Sequence, residues 1–318
     1  MQAYQISQLG GVEELRLTEL PTPQPGPGQV LVKVAAAGIN YADILQRLGT
    51  YPAPVTLPFV PGLEVAGTVA GAGPGAESWP VGQRVMALVP SGGYADYALA
   101  DAAQVIPVPD ELSFAEATAL LVQGLTAMGL LNTGHYASVL VLAATGGVGS
   151  LLVQAAKNQG RFVVAAVGSE AKRAEALALG ADAAVAYDAP DWVAQARAAS
   201  PGGQGLAASF DAVGGAVGAA ALTALAPGGA ALIYGAASGA PTMLAAQSLI
   251  GTGRSVRGYT LYADLAQAPA YLAELVGYHR AGRLQLPLAA YPFAQAQAAH
   301  RDMEGRRTQG KVVLVLTD

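Results

Sequence analysis

The sequence predicts an α/β protein in which a doubly wound parallel sheet is inserted into a split, β-rich domain. With 318 residues, the chain is long enough for two domains. Short β-rich runs broken by Gly and Pro occupy residues 29–100, which is typical of a compact, mostly antiparallel β domain. After Ser113, strands and helices alternate, as in a parallel sheet with helices on both faces. The strand-like run 311–316 then completes the first domain.

The individual elements follow from local residue patterns. In the first domain, strands are predicted over 30–34, 65–69 and 84–89. Ser113 and Glu116 form a capping box, which predicts the start of the helical part. Beyond it we predict strand 138–143, helix 148–159, strand 162–167, helix 170–179, strand 185–187, helix 192–199, strand 207–211, helix 216–226 and strand 230–234. We therefore predict a β-rich domain over 1–123 and 263–318, and an inserted domain over 124–262.

The composition excludes several classes of protein. Hydrophobic residues make up 53% of the chain and charged residues 12%, so the chain is not disordered. A formal net charge of −5 lacks the positive field that attracts nucleic acid or anionic lipid, and we expect no nucleic acid partner. Cys is absent, which excludes disulfides, thiolate nucleophiles and Cys-ligated zinc. His135, His279 and His300 lack metal-ligand spacing, and we predict solvated or capping roles for them.

Two long stretches without charge raise the question of membrane insertion. No Asp, Glu, Lys or Arg occurs between Glu116 and Lys157 or between Asp211 and Arg254, and either stretch is long enough to span a bilayer. Gly and Pro clusters interrupt both stretches, and the remaining apolar runs are short, as in buried elements of α/β proteins. The N-terminal residues show no secretory signal. We therefore expect a cytoplasmic protein with no membrane partner.

The strongest local signal is the glycine-rich turn AATGGVG at 143–149, which follows a predicted strand and opens a predicted helix. Gly146 and Gly147 permit a tight turn and a close approach of the backbone to a pyrophosphate, and Gly149 lets the helix pack on the strand. Phosphates favour the amide groups and the positive helix end near Val148. The pattern predicts a dinucleotide site. Because the chain carries 40 Gly, an ordinary strand-to-helix turn is the alternative.

The end of the next predicted strand indicates which dinucleotide binds. A carboxylate there, about 20 residues beyond the turn, would accept a hydrogen bond from the adenosine ribose. Gly168 and Ser169 occupy that position instead, and Lys172 and Arg173 follow; such cations would pair with a 2′-phosphate. We interpret Glu170, the dissenting residue, as a helix-start carboxylate. The pattern favours NADPH over NADH, and a solvated helix face is the alternative for both cations.

Further motifs are distributed along nearly the whole chain. They are GINYAD at 38–43, PGLEVAG at 61–67, GQRV at 82–85, GYADY at 93–97, GLTA at 124–127, the turn at 143–149, FDAVG at 210–214 and TQGK at 308–311. Together they resemble the zinc-free quinone oxidoreductases, the zeta-crystallin-like branch of the medium-chain dehydrogenase/reductase superfamily. The resemblance implies a Rossmann-type parallel sheet inserted into a GroES-like catalytic domain.

The resemblance also implies roles for individual residues. Asn40 and Asp43 match polar residues beside the nicotinamide, Tyr51 an aromatic residue at the substrate mouth, and Thr126 a hydroxyl near the cofactor carboxamide. The matching cofactor-binding residues are Gly146, Gly147 and Gly149 at the pyrophosphate, Lys172 and Tyr187 at the 2′-phosphate, and Tyr234 and Arg306 elsewhere on the cofactor. Alternatives remain: a turn residue for Asn40, a helix-start carboxylate for Asp43, a helix hydroxyl for Thr126, and core or rim aromatics for the tyrosines.

The sequence departs from the family pattern at two places and also lacks the metal ligands of zinc-dependent relatives. Leu45 replaces a common Tyr, which affects the expected stacking of substrate, and Ala186 replaces an Asn before Tyr187, which affects the adenosine side. In zinc-dependent relatives a Cys and the His of a Gly-His-Glu motif hold the metal. Here that tripeptide is Gly62-Leu63-Glu64 and Cys is absent. Without a Lewis acid, alcohol dehydrogenation is disfavoured.

We therefore expect an NADPH-dependent, metal-free reductase of quinones or related conjugated carbonyls, with hydride transfer in the interdomain cleft. The required proton would come from water or from Tyr51. One alternative is a 2-enal, enone or enoyl-thioester reductase, and another is a non-catalytic NADPH-binding protein. The resemblance also suggests a homodimer, for which residues 255–260 would supply an edge strand.

Overall fold

The positions of the strands and helices follow the hydrophobic pattern along the chain. The structure is a computed structural model, and it describes residues 1–316. Its strands are β1 (Gln2–Gln5), β2 (Arg16–Glu19), β3 (Gln29–Ile39), β4 (Glu64–Ala72), β5 (Arg84–Leu88), β6 (Tyr97–Asp101), β7 (Val105–Pro107), β8 (Ser138–Leu142), β9 (Phe162–Val167), β10 (Ala183–Ala186), β11 (Leu206–Asp211), β12 (Leu225–Ile233), β13 (Ser255–Gly258), β14 (Leu288–Pro292) and β15 (Lys311–Val315). Its α-helices are α1 (Tyr41–Leu48), α2 (Phe114–Ala119), α3 (Leu125–Asn132), α4 (Gly147–Asn158), α5 (Arg173–Ala178), α6 (Trp192–Ala199), α7 (Gly215–Thr223), α8 (Ala268–Arg280) and α9 (Ala296–Glu304).

The chain folds into two compact units, each with most of its contacts within itself. The first contains residues 1–122 and 288–316, and the second contains residues 123–287. In the first unit, β3 is the central strand and pairs antiparallel with β4, β6 and β15. The sheet runs in the order β14-β15-β3-β4-β5-β7. The pairing of β15 with β3 confirms that the C-terminal run completes the first domain.

The second unit contains a six-stranded sheet in the order β10-β9-β8-β11-β12-β13. All of its neighbouring strands are parallel. Counted from β8, this is the order 3-2-1-4-5-6, which reverses direction between β8 and β11. Side chains of β8 are buried along the whole strand, as expected for a sheet covered on both faces. The doubly wound sheet inserted into a split β-rich domain is therefore confirmed.

One predicted boundary between elements lies elsewhere in the structure. The helix predicted over 216–226 ends at Thr223, and β12 begins at Leu225, five residues before the predicted start. In the sequence, Pro227 and Gly228 predict a turn that would interrupt any helix or strand. In the structure the strand continues through them, and its register against β11 shifts at this point. Such an irregularity lets a strand tolerate residues that would interrupt a regular ladder.

The second boundary between units also differs from the predicted one. The sequence predicted it after residue 262, whereas residues 263–287 belong to the second unit in the structure. The reason is that α8 packs against α3 of that unit. In addition, the Gln154 amide of α4 donates to the Gln285 carbonyl at 3.0 Å and accepts from the Gln285 N–H at 2.7 Å. The first boundary, after residue 122, differs by one residue from the prediction.

One helical stretch of the described residues is long and apolar enough to cross a membrane. It runs over Phe114–Asn132 and includes α2, a π-helical turn and α3. Within its most apolar window, 78% is buried inside the protein. This burial is typical of the core helix of a globular protein, in which every face of an apolar helix is covered.

A buried ion pair connects three strands of the first unit. Lys311 is the first residue of β15, and its Nζ donates to Glu64 Oε1 at the start of β4. The same Nζ donates to the carbonyl of Ile39 at 3.0 Å, at the end of β3. The side chains of Lys311 and Glu64 are 2% and 0% exposed. Because a buried charge is tolerated only with a well-placed partner, this pair constrains the ends of all three strands.

We expect Lys311→Met to lower the free energy of unfolding by about 3–5 kcal/mol, because Glu64 is left as a buried charge without its main partner. The matched control is Lys157→Met, which removes the partly exposed pair of Lys157 with Asp182. That variant should lose no more than about 1 kcal/mol. Urea unfolding of both variants measures the difference. Equal losses would show that the buried pair is not a principal constraint.

Candidate active site

The first cluster of predicted site residues lies where β3 ends and α1 begins. Asn40 is the N-cap of α1, and its backbone N–H donates to Asp43 Oδ2 at 2.8 Å. Its side-chain amide donates to Glu64 Oε1 at 2.9 Å and accepts from Lys311 Nζ at 3.1 Å. Asn40 and Asp43 are both buried. The two ends of the Asn40 amide therefore have different partners, and this defines its orientation.

Asp43 is a fully buried carboxyl group with an uneven set of partners. Its Oδ2 accepts from the Asn40 N–H and from the Tyr94 hydroxyl, which lies 3.0 Å away. Its Oδ1 has no hydrogen-bond partner among residues 1–316. Desolvation raises the pKa of Asp43 to about 7, although the hydrogen bonds from Asn40 and Tyr94 and the charge of Lys311 oppose the shift. At neutral pH this carboxyl group is therefore near its midpoint of titration.

The Tyr94 hydroxyl connects Asp43 to a buried histidine. His300 Nε2 lies 3.1 Å from the Tyr94 oxygen, and the two rings are perpendicular with centroids 5.8 Å apart. Burial lowers the pKa of His300 to about 3, with a further contribution from the charge of Arg47. The predicted solvated or capping role of His300 is wrong, because this residue lies on the face of α9 that is turned into the core with Ala296 and Ala299.

Tyr51, predicted at the substrate mouth, follows α1 in the first unit. The helix ends at Leu48 and is capped by Gly49, whose φ of 73° is a left-handed conformation that Gly adopts readily. The Tyr51 N–H then donates to the Leu45 carbonyl at 3.1 Å, and the side chain is half-buried. The turn after α1 thus brings the backbone of Tyr51 to Leu45. Leu45 is the residue that replaces a Tyr common in the family.

The glycine-rich turn lies at the carboxyl end of β8 in the second unit. Helix α4 begins at Gly147, and the Gly146 N–H donates to the Ala143 carbonyl at 2.9 Å. A Cβ atom on Gly149 would lie 2.2 Å from the Ala143 oxygen, so only Gly fits at this position. Ala143 itself has a φ of 50°. The amides of the first turn, including that of Val148, have no partner within the helix and favour an anion.

The predicted 2′-phosphate residues lie at the ends of two neighbouring strands. Ser169 follows β9 and is the N-cap of a short 3-10 turn that includes Lys172. Tyr187 follows β10, which pairs with β9. A Cβ atom on Gly168 would lie 3.1 Å from the Tyr187 hydroxyl. The structure therefore brings Ser169 and Tyr187 to one edge of the sheet, with the turn that carries Lys172 beside them.

Arg173 has structural partners at this edge. Its Nε donates to the Ala184 carbonyl at 2.8 Å, and its guanidinium forms an ion pair with Glu170 at 2.7 Å. Glu170 and Arg173 thus neutralise each other. Lys172 carries its charge near Glu175, whose pKa it lowers, although burial raises that pKa overall. Lys172 lies in the turn that follows Ser169, at the position that the sequence predicted for a 2′-phosphate contact.

The remaining predicted residues are distributed over both units. Tyr234 follows β12; its hydroxyl is buried with no hydrogen-bond partner in the described part of the chain, and burial raises its pKa. Thr126 is a buried residue of α3. Both lie in the second unit with the glycine turn. Arg306 lies in the first unit after α9, with a φ of 57°.

Four residues of the first cluster were not predicted from the sequence: Glu64, Tyr94, His300 and Lys311. Glu64, Tyr94 and Lys311 lie within quoted motifs, but a single charged or hydroxyl side chain on a strand gives no indication of its partner. The one available signal was the position of Lys311 directly before the apolar run VVLV. Over residues 1–316, no group of three or more His, Cys, Asp or Glu is arranged to hold a metal ion.

Comparison with known proteins gives two family matches. Residues 26–110 match the model of the alcohol dehydrogenase GroES-like domain. Residues 147–276 match the model of the zinc-binding dehydrogenase family. The first segment covers β3 to β7 of the first unit, and the second covers α4 and β9 to β13 of the second unit. The predicted GroES-like and Rossmann-type parts are thereby confirmed.

Individual relatives cover nearly the whole chain. A probable quinone oxidoreductase of Schizosaccharomyces pombe is 33% identical, over 99% of this chain and 97% of the relative. A 2-haloacrylate reductase of a Burkholderia species is 32% identical, over 98% and 97%. The structure of Escherichia coli quinone oxidoreductase complexed with NADPH is similar with a TM-score of 0.94 and 29% identity, over 99% of this chain and 100% of the other. The chain therefore belongs to the quinone oxidoreductase branch of the medium-chain dehydrogenase/reductase superfamily.

Proposed function

We propose that the protein is an NADPH-dependent, metal-free reductase of quinones or related conjugated carbonyls. The observation that carries this proposal is the turn between β8 and α4, in which Gly149 lies against the Ala143 carbonyl and leaves no room for a side chain. A turn of this kind brings backbone amides to a pyrophosphate at the point where the strand order reverses. Membership of an oxidoreductase family with a relative solved as an NADPH complex supports the same conclusion.

The residues present fit a dinucleotide with a 2′-phosphate. The turn formed by Gly146, Gly147, Val148 and Gly149 would hold the pyrophosphate through the amides of the first turn of α4. The Gly146 N–H is already bonded to the Ala143 carbonyl and would shape the turn instead. Ser169, Lys172 and Tyr187 would hold the 2′-phosphate, and Thr126, Tyr234 and Arg306 are proposed as further contacts. The buried, unpartnered hydroxyl of Tyr234 is a donor suited to such a ligand. When bound, the coenzyme supplies a hydride.

The first unit would orient the acceptor. Asn40 and Asp43 are proposed to lie beside the reacting ring, and the amide of Asn40 is already oriented by Glu64 and Lys311. The residues at the position of the zinc-ligand motif support a reaction that needs no metal. Leu63 stands at the position of the histidine ligand, and Glu64 is engaged by an ammonium group. A quinone is activated enough to accept a hydride without a Lewis acid, so orientation and exclusion of water are the tasks left to the protein.

A second candidate is reduction of an activated carbon–carbon double bond, as in a 2-enal, an enone or an enoyl thioester. The observation in its favour is the similarity to a 2-haloacrylate reductase over nearly the whole chain. The same hydride donor and the same orienting residues would serve both reactions. A non-catalytic NADPH-binding protein is the third candidate. It differs from the other two in that it would bind NADPH without oxidising it when an acceptor is added.

A homodimer and a cytoplasmic location remain proposals. Strand β13 pairs with β12 on one side, so its other edge is available to a second copy of the chain. Ile250 and Met243, in the segment before β13, are 81% and 74% exposed. Sedimentation velocity measures the oligomeric state, and fractionation of cells measures the location.

We expect purified protein to oxidise NADPH when 1,4-benzoquinone is added, and much more slowly without it. Gly149→Val should abolish turnover and NADPH binding together, because the new side chain would clash with the Ala143 carbonyl. A panel of quinones, enones and 2-haloacrylate, followed at 340 nm, separates the first two candidates. Tight NADPH binding with no oxidation by any acceptor would contradict both and favour the non-catalytic protein.

We expect Lys172→Ala to weaken NADPH binding by about 10- to 100-fold and NADH binding by much less, because one charge-assisted hydrogen bond to the 2′-phosphate is lost. Isothermal titration with both coenzymes measures the two changes. Lys172→Arg keeps the charge and is the matched control. If NADPH and NADH are weakened equally, Lys172 does not bind the 2′-phosphate.

We expect Tyr51→Phe to lower kcat with 1,4-benzoquinone by about 10- to 100-fold if its hydroxyl supplies the proton, since general acid catalysis contributes at least this much. The loss should appear in kcat, with the KM for NADPH unchanged. Tyr41→Phe, which removes the hydroxyl of a half-buried tyrosine at the start of α1, is the control. Unchanged kcat across the pH range would assign the proton to water.

A further inference from the structure

Asp43, Tyr94 and His300 form a continuous hydrogen-bonded group, here called the buried triad. The three residues come from α1, from the segment before β6 and from α9. Each is 0% exposed. The Tyr94 oxygen lies 3.0 Å from Asp43 Oδ2 and 3.1 Å from His300 Nε2. Two titratable groups at the ends of the triad therefore share one hydroxyl group between them.

Charged groups face the buried triad from the elements packed around it. Lys311 and Glu64 face Asp43 from β15 and β4. Arg47 of α1 faces His300 and Tyr94. Arg47 is in turn paired with Glu304 of α9 at 2.6 Å and donates to the Gly10 carbonyl at 2.7 Å. Each neighbouring cation thus has its own carboxylate partner. The net charge of the triad therefore depends on the protonation of Asp43 and His300.

The heavy-atom geometry permits two arrangements of hydrogen atoms. With Asp43 ionised, the Tyr94 hydroxyl donates to Asp43 and accepts from the Nε2–H of His300. With Asp43 protonated on Oδ2, the carboxyl group donates to the Tyr94 oxygen, Tyr94 donates to Nε2, and the histidine hydrogen moves to Nδ1. Every hydrogen bond of the triad is kept in both arrangements, because the hydroxyl is both a donor and an acceptor.

We propose that Tyr94 and His300 are positioning residues that, through the buried triad, set the charge and orientation of Asp43 and thereby the first turn of α1 that carries Asn40. Asp43 is the link, since its Oδ2 also accepts from the Asn40 N–H. Tyr94 and His300 make no proposed contact with coenzyme or acceptor. The part of this inference that concerns catalysis rests on the proposed reductase function, whereas the state of the buried triad is measurable without turnover.

The directions of the pKa shifts at the two ends support a triad that carries no net charge below neutral pH. Burial raises the pKa of Asp43 from 3.8 to about 7 and lowers the pKa of His300 from 6.5 to about 3. Between about pH 4 and 6, folded Asp43 keeps a proton that it releases on unfolding, so its contribution to stability falls as pH rises. Folded His300 lacks a proton that it takes up on unfolding, so its contribution rises with pH. In the intact protein the two contributions oppose each other.

The first experiment removes one end of the buried triad at a time. Urea unfolding of Asp43→Asn, His300→Gln and the unmodified protein is measured between pH 4.5 and 6. Relative to the unmodified protein, the unfolding equilibrium constant of His300→Gln should increase by up to about tenfold for each unit of rising pH, the effect of one proton. That of Asp43→Asn should change in the opposite direction. His279→Gln, which alters a half-buried histidine of the second unit, should follow the unmodified protein.

Tyr94→Phe tests the link itself and keeps the volume of the ring. The hydroxyl of Tyr94 lowers the pKa of Asp43, so its removal should raise that pKa and shift the acidic limb of kcat with 1,4-benzoquinone to higher pH. We expect kcat to fall about tenfold with the KM for NADPH unchanged. Tyr4→Phe is the matched control, because Tyr4 is a buried tyrosine of the same unit whose hydroxyl bonds to the Ala296 backbone; it should alter neither quantity.

The two measurements separate the possible failures. If Asp43→Asn and His300→Gln keep the pH dependence of the unmodified protein, the buried triad does not control the charge of Asp43 and the inference is overturned, whatever the activity. If the stabilities of the two variants change with pH in opposite directions, the inference on the charge of Asp43 is supported. If, in addition, no acceptor is reduced, only the proposed function fails. Opposite pH dependences together with an unshifted kcat profile in Tyr94→Phe would overturn the positioning role.

Discussion

The buried ammonium group of Lys311 is the constraint on which the site of the first unit depends. A charge in the protein interior is stable only when its partners surround it closely. Here those partners are Glu64, the Asn40 amide and the Ile39 carbonyl. Because Asn40 is also the N-cap of α1, the position of one ammonium group decides where that helix begins. The orientation of Asp43, one turn further on, follows from the same constraint.

The second unit achieves its binding geometry by a different physical means. Its glycine turn contains no charged side chain, and its shape comes from close contact between backbone atoms. Gly149 lies against the Ala143 carbonyl, and that contact lets α4 start directly beneath the end of β8. The amides at the start of α4 are then left without intrahelical partners, as at every helix N-terminus. Charge pairing thus orders the first unit, and steric fit orders the second.

Sequence patterns were informative wherever a function depends on neighbouring residues. The glycine turn, the strand before it and the helix after it could all be predicted from a few adjacent positions. Ser169 was expected near the adenosine ribose from its distance beyond the turn, whereas Tyr187 was expected there only from the family resemblance. Both lie at one edge because β9 and β10 are neighbouring parallel strands. Arg173 shows the limit of this reasoning. Its ion pair with Glu170 is local, yet its bond to the Ala184 carbonyl depends on how α5 packs on β10.

The sequence by itself determined the fold class, the split β-rich domain and the dinucleotide turn, because hydrophobic period and glycine position are local properties of the chain. Only the tertiary structure decided the partners of the buried polar groups. Lys311 and Glu64 are 247 residues apart, and Tyr94 and His300 are 206 residues apart. Such partners carry no common local pattern. They pair because a buried polar or charged group without a partner has a high desolvation energy. That interior exists only after the sheet of the first unit has formed.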